Sequence, residues 1–330
     1  MGFDFLSIGD TVVDDFIRLK EATATCDIHG EHCQLCVLYG NKIPFEFSEL
    51  VPGVGNSANA AAACARLGLK TGLNVHVGDD ENGKKCIAAF EAHGIDTSLV
   101  VVEPGKHTNY HYVLWYETDR TILIKHEDFD YAMPALPEPP AWIYLSSLAP
   151  KTENYHHDIV AYISGHPEVK LAFQPGTFQI KLGVETLKDL YACTEICFCN
   201  EEEAQMILKT EDRDFQKLLE AMRTLGPKKV VITDGRNGAY AMDESGNAWH
   251  VPMYPDPKPP VERTGAGDAT ASTTVAYLIR GLSLEEALMR GLINSAMVVQ
   301  EIGAQKGLQT EAQIEDWYTK RPADFKATAL

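Results

Sequence analysis

The chain has 330 residues, 45% hydrophobic and 23% charged, with a formal net charge of -18. This is ordinary globular composition with enough length for a sizeable core. The acidic balance argues against nucleic acid or an anionic membrane surface as a partner, because both select clustered Lys and Arg. A small anionic ligand stays open, since backbone amides and a divalent cation can reverse the field locally.

The opening "MGFDFLSIGDTVVDDF" lacks a basic region and interrupts its apolar run with acids, so no signal peptide is expected. No apolar run is long enough for a transmembrane helix. With eight cysteines and no export signal, the expectation is a cytoplasmic protein with reduced thiols.

In chain order, "FLSIG" reads as a buried strand. Residues 12–50 then lose the rhythm and read as part of a small β lid. "SANAAAACARLG" is a helix ending at Gly68, a natural left-handed stop. "LNVHVG" is a strand, and Asp79 and Asp80 after it are expected to cap the next helix. Residues 105–127 hold "TNYHYVLWYETDRTILIKH", an antiparallel hairpin across "ETDR" and the second lid segment. "WIYLSS", "LAFQP", "ICFCN" and "KVVIT" are further buried strands. Asn200 is a plausible cap for "NEEEAQMIL", and Ser283 with Glu286 has capping-box spacing. "PDPKPP" is a stiff connector. Strand and helix alternate, so the fold class is α/β with a doubly wound, mostly parallel sheet, one domain over 1–330 carrying the lid segments as insertions. In such sheets ligands bind beyond the carboxyl ends of the strands. Asp10 and Asp14, Gly78 to Asp80, Asn200, and Thr233 to Gly235 all fall there.

"TGAGDATASTTVAYLIRG" places two glycines and an acid at a helix start. Gly265, Ala266 and Gly267 leave backbone N–H groups free at the positive end of the helix dipole, a ready anion site. A carboxylate at Asp268 would be repelled by a bound phosphate unless it works, and taking a proton from an attacking hydroxyl is such work. The competing reading is a helix cap behind a simple turn.

Five ordered segments resolve that choice by resemblance. "TGAGD" resembles the C-terminal signature of the ribokinase-like, phosphofructokinase-B-type carbohydrate kinases. "VPGVGNSANAAAACARLG", "VGDDENGK", "CNEEEA" and "VITDGRNGAYA" resemble that family's other motifs, in order, from about residue 5 to 308. The resemblance implies a ribokinase-like fold and ATP-dependent phosphoryl transfer to a primary hydroxyl of a sugar. It implies that Asp268 is the general base and that Gly265, Ala266 and Gly267 form the anion hole. It places Asp14, Gly55 and Asn59 on the acceptor sugar, and Thr233, Gly235 and Gly238 on the nucleotide phosphates. Asn200 and Glu203 match the element that organises Mg²⁺ through water, and Asn294 falls where the family lines its adenine pocket. Flaps of this kind pair between subunits in the family, which implies a homodimer through the lid.

The departures concern the acceptor and the cation. Val54 stands where the first glycine of the N-terminal pair is expected, Asn56 where ribokinases carry Lys, and Val12 where they carry a polar sugar contact. Glu262 and Arg263 replace Asp-Thr before "TGAGD", which leaves K⁺ activation open. A nucleoside kinase of the same fold is therefore the alternative, with a non-catalytic sugar or nucleotide sensor ranked below it. No G-x-G-x-x-G closes the first strand, which disfavours a dehydrogenase.

"CDIHGEHCQLC" gathers Cys26, His29, His32, Cys33 and Cys36. Zinc is one reading and a lid loop with incidental thiols the preferred one, with no disulfide expected in a reducing compartment. Cys193, Cys197 and Cys199 read as packing. His107, Thr108 and Asn109 read as surface residues, and Tyr110, Tyr112, Trp115 and Tyr116 as covering the sugar or a dimer face. Lys106, Arg120 and Lys125 are not expected to converge on an anionic acceptor.

Overall fold

The computed structural model describes residues 2–26, 33–117 and 119–330. A nine-stranded sheet runs in the spatial order Thr328–Ala329, Ala248–Val251, Ala239–Met242, Lys229–Thr233, Thr194–Asn200, Lys170–Phe173, Trp142–Leu145, Phe5–Ile8, Thr71–Asn74. The last six are parallel, and the first three pair antiparallel at one edge. Side chains alternate between its faces. Phe5, Tyr144, Phe198 and Val231 meet helices Asn56–Arg66, Ala266–Ile279 and Leu284–Val298 on one side. Leu6, Ile143, Cys197 and Val230 meet helices Glu153–Gly165 and Phe215–Thr224 on the other. Each buried Leu or Ile contributes about 1.5–3 kcal/mol, so the two faces together hold the sheet in place.

The small residues of Ala266–Ile279 allow Leu284–Val298 to lie very close. A methyl group on Gly291 would stand 2.6 Å from the Thr270 carbonyl. Thr270, Ser272 and Thr274 on this helix donate to the carbonyl four residues back, as where Ser272 Oγ donates to the Asp268 carbonyl at 2.6 Å.

The lid is a separate four-stranded sheet in the order Asp119–Lys125, Tyr110–Tyr116, Val12–Leu19, Phe45–Val54. The hairpin across "ETDR" is antiparallel, as expected. Tyr110–Tyr116 runs parallel to Val12–Leu19, which sets Asp14 directly opposite His111.

Several local expectations change. "LNVHVG" is divided: Thr71–Asn74 stays in the large sheet, while His76–Gly78 pairs with Val101–Glu103. Asp80 caps its helix, accepting from Gly83 N at 2.8 Å. Ser283 makes no side-chain cap, so the second capping box is absent. Thr108 and Asn109 are buried rather than superficial. Asn109 Nδ2 donates to the Thr11 carbonyl at 3.1 Å and its Oδ1 accepts from Glu127 N at 2.7 Å, clamping the lid to the first strand's exit.

Cys26 and Cys33 lie opposite each other in the paired strands Thr23–Cys26 and Cys33–Cys36 and form a disulfide. This corrects the expectation of reduced thiols there and removes both as zinc ligands, while Cys36 is a free thiol. His29 and His32 lie outside the described residues. Cys197 and Cys199 are buried among apolar neighbours, which pushes the Cys197 thiol up to about 12 and suits packing rather than redox chemistry. Among the described residues, no helix is long and apolar enough to cross a membrane.

Candidate active site

Helix Ala266–Ile279 begins without a side-chain cap. Gly265 precedes it at φ 79°, left-handed backbone that turns the chain into the helix. The first intrahelical bond runs from Ala269 N to the Gly265 carbonyl at 2.8 Å. The amides before it are the orphan donors of a helix start. A methyl group on Gly267 would meet only Gln174 Nε2, at 3.9 Å, so this turn opens onto free space.

That space is a cavity of about 370 Å³ between the lid and the carboxyl ends of the parallel strands. Asp14, Gly55 and Asn59 line it, as do Asn200, Glu203 and Thr233. Gly265, Gly267 and Asp268 line it from the helix start. Residues more than 250 positions apart in sequence thus face one volume. A second recess of about 200 Å³ is lined by Gly235, Gly238 and Ala266, with an apolar wall from Met253, Leu292 and Val299. Thr233, Arg263 and Gly267 line both spaces, so the two meet at the start of the helix.

Asp268 is 7% exposed and held by three amides. Asn56 Nδ2 donates to Oδ1 at 2.9 Å, Gln174 Nε2 to Oδ1 at 3.1 Å, and Asn59 Nδ2 to Oδ2 at 2.7 Å. Burial pushes its carboxyl above the ordinary carboxylate value, and the three donors pull it part of the way back. A neutral amide shell of this kind fixes the carboxylate without neutralising it. Asn59 is aimed at Asp268, and its Oδ1 accepts from Gln305 Nε2 at 3.0 Å. Both of its polar atoms are engaged by protein, so its first role here is to hold the carboxylate.

Asn200 and Glu203 form a reciprocal capping box: Glu203 N donates to Asn200 Oδ1 at 2.8 Å and Asn200 N to Glu203 Oε2 at 2.9 Å. Burial raises the Glu203 carboxyl, and the nearby Asp268 charge adds to it against the Asn200 N–H. Glycines at positive φ occupy 53 and 55, so Gly55 stands where the second of the pair is expected and the first falls one position early, before Val54. The Gly55 turn starts helix Asn56–Arg66 with its backbone pressed on the first strand's exit, where a methyl group would stand 3.2 Å from the Asp10 carbonyl. Gly235 takes φ 49° in open space, whereas a methyl group on Gly238 would lie 2.1 Å from the Val251 carbonyl, so Gly238 serves strand packing as well as the loop.

Asn294 does not line the recess. It is fully buried, with Nδ2 donating to Thr273 Oγ1 at 2.8 Å and Oδ1 accepting from Gln309 N at 2.9 Å. Its side chain ties two helices to the following loop, and its neighbours Leu292, Ser295 and Ala296 face the recess instead. Tyr110, Tyr112, Trp115 and Tyr116 are also not on the cavity wall. Trp115 packs under the Arg18 guanidinium, 4.4 Å from its ring centre, and Tyr110 OH donates to Asp15 at 3.0 Å. The lid faces the cavity through Val12, Asp14, His111, Arg120 and Ile122. Of the three lid cations, Arg120 alone is on the wall; Lys106 Nζ donates to the Asp128 carbonyl.

Gln174 was not singled out from sequence, although it follows "LAF" as Asn200 and Thr233 end their own strands. His111 became legible only through the parallel pairing with the Asp14 strand. The amide shell makes a measurable prediction. Asn56→Ala removes one donor from the Asp268 carboxylate, so the carboxyl should titrate at higher pH than before. The ¹³C carboxyl resonance of Asp268 should then titrate at higher pH in the variant than in the parent. An unshifted titration with normal thermal stability would refute the role given to this shell.

The model of the pfkB family carbohydrate kinases matches residues 48–311. Ribokinase from Bacillus subtilis (strain 168) is 27% identical over 277 residues, covering 81% of this chain and 88% of that protein. Cytidine kinase from Thermococcus kodakarensis is 30% identical over 264 residues, covering 77% of this chain and 89% of that one. The structure of Arabidopsis thaliana ribokinase complexed with ribose and ATP superposes with a TM-score of 0.75 at 17% identity, covering 96% and 98% of the two chains. With a ribokinase-like α/β fold, a cavity at the strand ends and a matched family model over most of its length, this chain belongs to the pfkB family of carbohydrate kinases.

Proposed function

We propose that this protein transfers the terminal phosphoryl group of ATP to a primary hydroxyl of a sugar. One observation carries the reading: the uncapped helix start at Gly265–Gly267 lies where the two spaces meet, with the Asp268 carboxylate facing the larger one. The apolar recess with its Gly235–Gly238 loop suits a nucleotide, and the larger cavity suits the acceptor. Asp268 accepts the hydroxyl proton as the oxygen attacks, and the amides of Gly265, Ala266 and Gly267 receive the charge on the migrating group. Asp14 holds acceptor hydroxyls from the lid side.

Mg²⁺ fits the residues present. Among the described residues no group of three or more His, Cys, Asp or Glu forms a cage. Mg²⁺ at a phosphate site needs only one or two carboxylates, with water and phosphate oxygens completing its shell. Glu203, raised by burial and by the facing Asp268 charge, is the carboxylate to hold it, with Asn200 fixing the orientation of Glu203. When bound, the ion supplies charge neutralisation on the phosphates.

A nucleoside acceptor is the second reading, favoured by the apolar Val12, Ile122 and Phe198 on the cavity wall. A non-catalytic sensor ranks below both, because it leaves the buried carboxylate and its amides without work. An ADP-release screen of sugars and nucleosides with Mg²⁺ tests the reading; release stimulated by no hydroxyl compound would sink it. The same screen addresses K⁺. Glu262, at the departure beside the helix start, already accepts from Thr264 N at 2.6 Å and Gly303 N at 2.9 Å, with Arg120 at 3.8 Å. Turnover is therefore expected to be the same with K⁺ as with tetramethylammonium.

We also propose that two copies pair through the lid, whose Phe45, Tyr112, Leu123 and Ile124 are exposed. Sedimentation should give twice the chain mass, and a monomer at micromolar concentration would exclude it.

A further inference from the structure

A row of four ionisable side chains runs inward from the cavity wall. Asp14 Oδ1 is 3.3 Å from His111 Nδ1, and His111 Nε2 is 3.4 Å from His126 Nε2. His126 Nδ1 is 3.5 Å from Asp10 Oδ2, and Asp10 Oδ1 accepts from the Tyr131 hydroxyl. The side chains of Asp14, His111, His126 and Asp10 are 11%, 15%, 18% and 9% exposed. Only Asp14 and His111 reach the cavity wall.

Three atoms of this row, Asp14 Oδ1, His126 Nδ1 and Asp10 Oδ2, are buried and lack a completed hydrogen bond. Buried polar atoms are rarely left so. A row whose contacts stop a few tenths of an ångström short is one that tightens when a ligand engages its open end. That end, Asp14 with His111, opens on the acceptor cavity.

Proton counting then constrains the row. Each Nδ1 faces a carboxylate and each Nε2 faces the other imidazole. A carboxylate only accepts, so closing the two outer contacts requires a hydrogen on each Nδ1. The Nε2–Nε2 contact closes with one hydrogen between the rings, since two lone pairs or two N–H groups there would repel. A row closed along its whole length would thus use three hydrogens on four ring nitrogens.

We propose that His111 and His126 are a proton-sharing pair strung between Asp14 and Asp10, and that this pair sets the grip of the cavity on a polyhydroxylated acceptor. This deepens the kinase reading and rests on the larger cavity being the acceptor site. His111 stands at the acceptor and orients Asp14 to accept from a hydroxyl. His126 and Asp10 act through His111 as positioning residues, with Tyr131 anchoring Asp10. Beside the row lie Tyr155, stacked on Tyr131 with ring centres 5.7 Å apart, and Phe178, whose ring meets His126 edge-on at 5.8 Å, while Arg120 lines the same cavity from the lid.

The test uses the full-length protein and two readouts. ¹⁵N imidazole resonances of the free protein should show both Nδ1 atoms protonated and a single hydrogen shared between the two Nε2 atoms. Two Nε2–H tautomers with bare Nδ1 atoms would overturn the proposal, whatever the protein phosphorylates. With an acceptor from the ADP-release screen, His126→Leu should raise acceptor KM about tenfold, the worth of one hydrogen bond at a charged group. Saturated kcat and the KM for ATP should stay as in the parent. His126→Gln, which can still bridge His111 and Asp10, should recover most of that loss. An unchanged acceptor KM in His126→Leu would also overturn it. If no acceptor is ever phosphorylated, the kinase reading fails and the resonance pattern alone decides the pair.

Discussion

Asp268→Asn should lower turnover by about 10²–10⁴-fold, the usual contribution of a positioned general base, with the fold and ATP affinity retained. The substitution keeps shape and removes proton affinity. It also disturbs the amide shell in a traceable way. The new amide oxygen can still accept from Asn56 and Gln174, which both reach Oδ1. The new NH₂ group then faces Asn59 Nδ2 across the 2.7 Å contact, donor against donor. Asn59 relieves this by turning its carbonyl inward, which turns its NH₂ toward Gln305 and unsettles the Gln305 bond to the Gly53 carbonyl. One hydrogen bond at stake is worth about 1 kcal/mol. A small fall in melting temperature should therefore accompany a large fall in kcat. Parent-like turnover would refute the base, and loss of ATP binding would show that the damage lies in the nucleotide recess instead. In the parent, burial raises the Asp268 carboxyl. If Asp268 serves as the base, it is protonated and idle below that raised value, so activity should climb with pH through an ionisation above the ordinary carboxylate range.

The second large effect separates two glycines that stand two residues apart. Gly265→Ala should damage both folding and catalysis. At φ 79° a side chain costs about 1–2 kcal/mol. The added methyl group would also lie 2.3 Å from Ala304 Cβ and 2.7 Å from its Cα, a backbone-anchored clash worth about 1–3 kcal/mol more. The helix start must shift, and its donors shift with it. Gly267→Ala should behave differently. It sits in helical backbone with nothing nearer than Gln174 Nε2 at 3.9 Å, so melting temperature should hold or rise slightly. Its methyl group would enter the space shared by the two cavities, so turnover should fall all the same. Thermal unfolding and ADP release on the two variants decide the matter. Equal loss of stability in both, or full activity in Gly267→Ala, would remove these amides from the reaction.

Much of this site follows from local chemistry that any reader of the chain can apply. Apolar runs of branched residues become strands because only a buried strand satisfies them, and the polar residues ending those runs fall at the carboxyl edge of the sheet. Asn200 with Glu203 and Asp80 with Gly83 are short-range caps, visible in three or four residues. The left-handed turn at Gly265 and the uncapped helix after it are local as well. The aim of a side chain is not local. Asp14 faces His111 because two lid strands pair in parallel with one register, and a shift of one residue would turn both away.

Asn59 and Asn294 look alike in sequence, each an amide within a helix. One meets Asp268 across 209 positions, and the other is consumed by Thr273 and Gln309. Gln174 reaches the same carboxylate from a strand end with no motif to mark it. Cys26 and Cys33 read as free thiols until an antiparallel pairing set them face to face. Composition, spacing and turn chemistry thus determined which strands and helices form and at which edge of the sheet their polar residues emerge. Tertiary packing alone decided which of them meet, because contact between distant residues depends on register and helix rotation, and neither is encoded within a few residues of chain.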